Sequence, residues 1–223
     1  MKACRVVSLV VCALFWAGAA FAQDAVKVSP EVYKVIVDNA SVRVLRVSVP
    51  VGGKTAMHRH PDHVVIPLTA GKVKFTGADG KAQDAELPVE TATFMPASTH
   101  SGENTGTTAV DALVVEFKSA APGKATVPAA REGLAMKVLA ESPRAMVYRS
   151  TADPKFQEPA GTKHDYDQVV IALGPSQMSL AVDGKPAKTS WARGDVQFIG
   201  RGTAHESKNT SGKPVDFIIV AVK

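Results

Sequence analysis

Six histidines stand at His58, His60, His63, His100, His164 and His205, and they carry most of the chemistry this chain can offer. His58 and His60 are two residues apart, so on a strand both imidazoles point to one face. A third imidazole, His100, arriving from a distant strand, would complete a facial set of nitrogen ligands. Imidazole suits zinc, iron, copper or nickel, and three protein ligands with open positions are what a catalytic site requires. The bland alternative is a polar core of histidines without metal. His63 would serve as a fourth ligand only if the strand bulges, because regular alternation turns it away from His58 and His60. His164 and His205 supply the material for a weaker second site. No residue is marked by its spacing as a general base, so the catalytic residues stay unassigned. Glu103 and Asp62 are the carboxylates nearest in sequence to these ligands. Either would hold an imidazole in its metal-binding tautomer, or both are solvated loop acids.

Those residues need a frame, and the sequence repeats itself to provide one. Val64-Val65-Ile66 recurs as Val169-Val170-Ile171, an offset of 105 that also takes His100 to His205 and Asn104 to Asn209. Asp79-Gly80 recurs as Asp183-Gly184, one residue closer, and 34–46 aligns with 137–149. One order with one drifting offset indicates a tandem duplication. Residues 119–133 are rich in Ala, Pro and Gly, lack apolar periodicity, and read as a linker. The halves are then 26–118 and 134–223, each about 90 residues long and each gaining from packing on its twin.

Within each half the pattern is β. Runs at 43–49, 63–67, 72–76, 109–117 and 216–222 are rich in Val, Ile and Phe and are bounded by Gly, Pro, Asp and Asn. The two Asp-Gly pairs suit two-residue type I′ hairpin turns. No stretch outside the first residues shows a long 3.6-residue apolar stripe, so helix should be minor. Short antiparallel strands with tight turns predict a jelly roll or barrel in each half. Asn104 and Asn209 read as turn residues bonding local backbone, and Pro67 suggests an edge or a bulge. Met57 and Phe94 read as core packing. Arg43, Arg46 and Arg149 could reach an anionic ligand, although strand arginines usually face solvent.

The first residues are not part of this frame. Lys2 and Arg5 precede an apolar stretch from Val6 to about Ala20, and Ala20-Phe21-Ala22 is a small-x-small pattern. That combination predicts a signal peptide over 1–22, cut after Ala22, and a periplasmic or secreted mature chain. The apolar run is short for a membrane span. Both cysteines, Cys4 and Cys12, leave with the signal, which excludes a disulfide, a thiolate nucleophile and a Cys-ligated metal. The net charge of +5 falls to +3 with Lys2 and Arg5 gone. The remaining basic residues are scattered among acids, so nucleic acid is not an expected partner.

Motif spacing then carries a resemblance. Gly52, His58, His60 and Gly71 stand as in the first motif of the cupin superfamily, with Val64 where that motif places a Glu ligand. Gly194, Gly202, His205 and Asn209 match the second motif, Gly200 replacing its proline. In the N-terminal half Pro96, His100 and Asn104 match it, with Glu90 and Ser98 at the glycine positions. Over nearly the whole mature length the chain resembles a two-domain bicupin, which implies an all-β fold of tandem double-stranded β-helix (cupin jelly-roll) barrels. The resemblance implies metal ligands at His58, His60 and His100, the fourth, a Glu, being missing; some cupin oxygenases manage with three histidines. In the second half Lys163 and Asp165 take the places of the His-x-His pair, with His164 between them and Val169 at the Glu position. A lysine aimed there would repel a cation, so the C-terminal domain is expected to hold metal poorly or not at all.

Two functions follow. One is a metal-dependent dioxygenase or isomerase acting on a small oxygenated molecule through iron, manganese, zinc, copper or nickel. The other is a non-catalytic exported protein that binds a small ligand or a metal. An inert interaction scaffold is a weaker third. A homodimer through swapped edge strands is a further expectation from the resemblance.

Overall fold

A computed structural model of the 223-residue chain describes residues 23–118, 124–126 and 128–223. The signal read over 1–22, and 119–123 and 127 of the linker, lie outside the described residues. The one helix among the described residues is the four-residue turn Ala25–Val28.

The described strands form two barrels. In the first, one sheet orders Tyr33–Asp38, Val42–Val49, Val110–Phe117, His63–Pro67 and Thr93–Met95. The facing sheet orders Gln23–Asp24, His58–His60, Ser98–Asn104, Gly71–Gly77 and Ala82–Leu87. The second barrel repeats the first sheet as Leu134–Glu141, Ala145–Ala152, Val215–Val222, Asp167–Ala172 and Val196–Ile199. Its facing sheet is Lys185–Trp191, Ser176–Val182 and His205–Asn209. Asp183 (φ 49°) and Gly184 (φ 70°) make the expected primed turn. The first barrel's hairpin is longer, spanning residues 78–81, with only Gly80 of its Asp-Gly pair at positive φ. That insertion explains the one-residue drift of the repeat.

Alternation along the long strands serves two cores at once. Leu45, Val47, Val49, Val110, Ala112 and Val114 point into the first barrel. Their neighbours Val42, Val44, Leu113, Val115 and Phe117 point outward, where Val147, Val169, Ile171, Ile218 and Val220 of the second barrel meet them. The two five-stranded sheets are therefore packed back to back, which is why these strands read as nearly continuous apolar runs. Val64 belongs to this outer face and Phe94 packs against it. Pro67 closes a strand that is central rather than an edge, pairing with Ala112, and Met57 is 40% exposed rather than packed. Leu113 is fully buried between the barrels, so Leu113→Ala should cost about 2–5 kcal/mol. Urea unfolding should show this as one shifted transition; two separated transitions would mean that the barrels do not share a core.

Charges complete the contact. Glu90 reaches Arg149 Nη1 at 3.0 Å and Arg193 Nη1 at 2.8 Å. Arg46, the repeat equivalent of Arg149, holds Asp111 and donates to the carbonyl of Gly194 at 3.2 Å. Glu90 adopts φ 58°, matching φ 79° at Gly194 in the other half. Asn104 and Asn209 serve their turns: Asn104 Nδ2 donates to the Val49 and Thr108 carbonyls, and Asn209 Nδ2 to those of Ala152 and Lys213. Two described residues of the segment read as a linker pack against the second barrel. Ala125 is buried in the second barrel's core, and Arg131 pairs with Glu158 inside that barrel.

Candidate metal centre

His58 and His60 occupy the short strand His58–His60, both buried, with Arg59 exposed between them. That strand pairs antiparallel with Ser98–Asn104 and sets His100 opposite His58. One ligand nitrogen from each of the three lies within 4.8 Å of the others, and all three residues are buried.

The hydrogen bonds fix which nitrogens are free. His58 Nδ1 donates to the Ala56 carbonyl at 2.7 Å, and His60 Nδ1 donates to the Glu116 carboxylate at 2.6 Å. Acceptors at both Nδ1 positions assign the proton there and leave the lone pair on Nε2. The two Nε2 atoms stand 3.0 Å apart. Two nitrogens each about 2.1 Å from one metal, at right angles, are themselves about 3.0 Å apart. This donor set therefore fits a divalent first-row cation, which would relieve the opposed lone pairs. The Tyr33 hydroxyl lies 3.0 Å from His58 Nε2, and burial raises its pKa, so it stays protonated.

Behind His60 runs an ionic chain. Glu116 Oε2 accepts from Arg43 Nε at 2.5 Å, and Arg43 Nη1 reaches Asp24 at 2.5 Å. Burial alone would push Glu116 up, but the hydrogen bonds from His60 and Arg43 outweigh it and hold the carboxyl below its ordinary range. Glu116 and Arg43 are register partners on adjacent strands, both at inward positions. Glu116, not Glu103 or Asp62, is thus the acid that orients an imidazole of the cluster. Glu103 pairs with Lys54 at 3.4 Å, and Asp62 accepts from the Ala97 amide at 2.8 Å. Arg43, Arg46 and Arg149 are likewise all engaged with acids of the chain.

His63 departs from the expectation. Pro61 and Asp62 interrupt the strand, so alternation restarts and His63 enters the barrel, 2% exposed, its ring 5.0 Å from that of His60. Its Nδ1 donates to the Pro61 carbonyl at 2.7 Å. His63 lies beside the three-nitrogen cluster, on the wall of a cavity of about 790 Å³ that His60, His100 and Tyr33 also line.

Burial, the largest cause, lowers the pKa of His58, takes His63 down to about 4 and takes His100 down to about 3. Unfolded histidines take a proton near 6.5, and these folded ones do not. In metal-free protein their contribution to stability is complete above about pH 6.5 and is lost as the pH falls toward 4 and then 3. Melting temperatures of chelated protein should therefore begin to fall just below pH 6.5, before carboxylates titrate. A flat profile from 6.5 to 5 would count against buried neutral imidazoles.

The second barrel holds a different cluster: Glu158, His164 and His205, with ligand atoms within 4.8 Å. Here the expected register is off by one. Lys163 and Asp165 are exposed, and His164 takes the inward place, stacked on Tyr166 with ring centroids 5.0 Å apart. No lysine is aimed at this site; the cation in it is Arg131. Its guanidinium pairs with Glu158 Oε1, while His205 Nε2 and Ser207 Oγ hold Oε2 at 3.3 and 3.1 Å. Burial would lower the pKa of His205, but its bond to Glu158 raises it instead. Glu158 is pushed up by burial and drawn below its ordinary range by His205 and Arg131. Imidazoles whose affinity for a second proton is lowered by burial, at His58, His63 and His100, mark the first barrel, and a closed ion-pair network marks the second.

Comparison with solved structures places this architecture. A cupin 2 conserved barrel domain protein from Leptotrichia buccalis is similar over 86% of this chain and 88% of its own, with 14% identity and a TM-score of 0.57. A Bacillus subtilis oxalate decarboxylase variant is similar over 85% of this chain and 74% of its own, at 12% identity and TM-score 0.58. A variant of salicylate 1,2-dioxygenase from Pseudoaminobacter salicylatoxidans matches 82% of this chain and 71% of its own, at 10% identity and TM-score 0.61. No protein-family model and no curated protein sequence matches the chain.

Proposed function

We propose that this chain, a bicupin by fold, is an exported protein whose first barrel holds one divalent transition metal at His58, His60 and His100, acting as an oxygenase or isomerase on a small oxygenated molecule. The observation that carries the reading is the pair of Nε2 lone pairs held 3.0 Å apart by Nδ1 bonds to Ala56 and Glu116. Similar folds support it, since the B. subtilis oxalate decarboxylase is described with Mn(II) centres. Iron, manganese, zinc, copper and nickel are all compatible with three imidazoles. The metal would supply Lewis acidity toward a ligand oxygen. Around it the chain's own groups have defined tasks. Glu116 fixes the His60 ring and strengthens it as a donor. Tyr33 can give a hydrogen bond to an oxygen seated beside His58.

Non-catalytic binding is the second reading, favoured by one observation: Glu116, the acid bonded to the cluster, is spent on His60 and Arg43. Export rests on the pattern of residues 1–22. A homodimer would use the edge strands, where Val35, Ile36 and Val138 are each close to half exposed.

Metal analysis of untagged protein tests the site, and metal-dependent oxygen uptake or product formation separates enzyme from binder. One equivalent per chain is expected, because Arg131 already occupies Glu158 in the second barrel. Arg131→Ala should release that carboxylate and raise bound zinc from about one toward two per chain. A wild type without metal after reconstitution would overturn the reading. An Arg131→Ala variant that stays at one would show that the ion pair is not what closes the second cluster.

A further inference from the structure

Residues 23–29 lie against the strand that carries His58 and His60, and their bonds lead to both rings. Gln23–Asp24 runs parallel to His58–His60, with Gln23 beside His58 and Asp24 beside Arg59. Ala25, fully buried in the first barrel's inner core, pins the segment in place. One thread starts at Asp24, which accepts from Arg43 Nη1 at 2.5 Å. Arg43 holds the Glu116 carboxylate, and that carboxylate accepts from His60 Nδ1. The other thread starts at Ser29, 1% exposed, whose Oγ accepts from the Ala56 amide at 3.0 Å. Ala56 is the residue whose carbonyl accepts from His58 Nδ1. The second half uses the same stretch differently. Aligning 34–46 with 137–149 puts 126–132 at the place of 23–29, and there Arg131 turns into the barrel onto Glu158. One position in the repeat therefore braces imidazoles in the first barrel and aims a cation at them in the second.

We infer that residues 23–29 are a positioning segment of the metal centre: Asp24, through Arg43 and Glu116, and Ser29, through Ala56, set the two imidazoles whose Nε2 lone pairs meet the cation. This rests on the metal reading above and extends it to side chains that do not touch the ion. A ring held in line by its outer partner presents its lone pair at no further cost, and a ring free to turn must first be ordered. Arg43 without Asp24 would keep Glu116 but lose the second carboxylate that fixes the guanidinium. With the signal cut after Ala22, Asp24 is the second residue of the mature chain. A cut two residues further on would remove it, so the place of cleavage would set the affinity of the centre.

The test uses the full mature chain and cobalt(II), a divalent ion suited to imidazole ligands, whose visible absorption reports ligand geometry. Competition against a chelator measures affinity, and melting temperatures show that each variant is folded. Asp24→Asn should weaken cobalt binding about tenfold, the lower end of what loss of an outer partner costs. Its amide oxygen can still accept from the Val26 amide, as Asp24 Oδ1 does at 3.0 Å, so the turn at Ala25–Val28 keeps its cap. Asp24→Glu makes the opposite trade, keeping a carboxylate for Arg43 and giving up the cap, and should bind within about threefold of wild type. Ser29→Ala should also weaken binding about tenfold. Asp38→Asn, which breaks an exposed ion pair with Lys118 on the same barrel, should leave the affinity unchanged. Saturated with cobalt, Asp24→Asn and Ser29→Ala should show absorption bands shifted from those of wild type, a change that lower stability alone does not produce. Asp24→Asn or Ser29→Ala binding like wild type, Asp24→Glu binding as weakly as Asp24→Asn, or unshifted bands would overturn the inference. If wild type takes up no cobalt, the metal reading falls, and positioning is then read on the metal-free chain. There the His60 Nδ1 proton resonance should move in Asp24→Asn and stay in Asp38→Asn; a resonance that stays in both would overturn the inference.

Discussion

Replacing His100 with alanine should reduce bound metal from about one per chain to below about a tenth, since losing a ligand costs more than the 10–100-fold that loss of an outer partner costs. His100 is the informative position because little else depends on it. Outside the cluster it meets the Ser98 hydroxyl, 3.3 Å from Nδ1, and the edge-on Phe75 ring at 5.1 Å between centroids. His58→Ala should lose metal too, but it also removes one of the two side-chain partners of the buried Tyr33 hydroxyl, leaving Thr55. Plasma mass spectrometry on both variants, with melting temperatures beside it, separates loss of the site from loss of the fold. Retention of stoichiometric metal by folded His100→Ala would place the ion elsewhere.

Glu116→Gln should weaken metal binding about 10–100-fold while leaving all three imidazoles in place. The amide can accept from His60 Nδ1 with its oxygen, but its NH2 group then faces Arg43, and two donors oppose each other. Arg43 keeps Asp24 and loses its better-buried partner, Glu116 being 1% exposed against 29% for Asp24. Breaking a buried pair from one side costs about 3–5 kcal/mol, so the melting temperature should fall together with the affinity. Competition titration against a chelator measures the first, and calorimetry the second. Unchanged affinity in a destabilised variant would reduce Glu116 to a structural ion pair.

How much of this was legible in the sequence depended on whether period-2 alternation ran unbroken. It did for His58 and His60, and for the long strands whose outward valines form the shared core. It failed at His63, because Pro61 and Asp62 end one strand and begin another, and spacing counted across a break has no meaning. It failed by one residue at His164, where the loop before it is differently built. Glu116 was missed although a signal existed. An acid stands at the inward parity of the run 110–117, and Arg43 stands at the inward parity of another. A charge pair at matched inward positions of two apolar strands signals a buried ionic group. Glu158 and Arg131 carried no such mark, one lying in a turn region and the other in a stretch that looked like a tether.

The contact around Glu90 and Gly194 says something about ancestry. Two copies of one half, paired about a twofold axis, would carry the same residue at both places. Yet the demands there are now opposite. Position 90 supplies a carboxylate that two arginines of the neighbouring barrel share, and accepts a left-handed backbone to do so. Position 194 favours glycine, because its φ is 79° and a Cβ there would displace the Arg46 guanidinium and Leu68. One sequence repeated in both halves would therefore either lack the carboxylate at the first place or push Arg46 and Leu68 aside at the second.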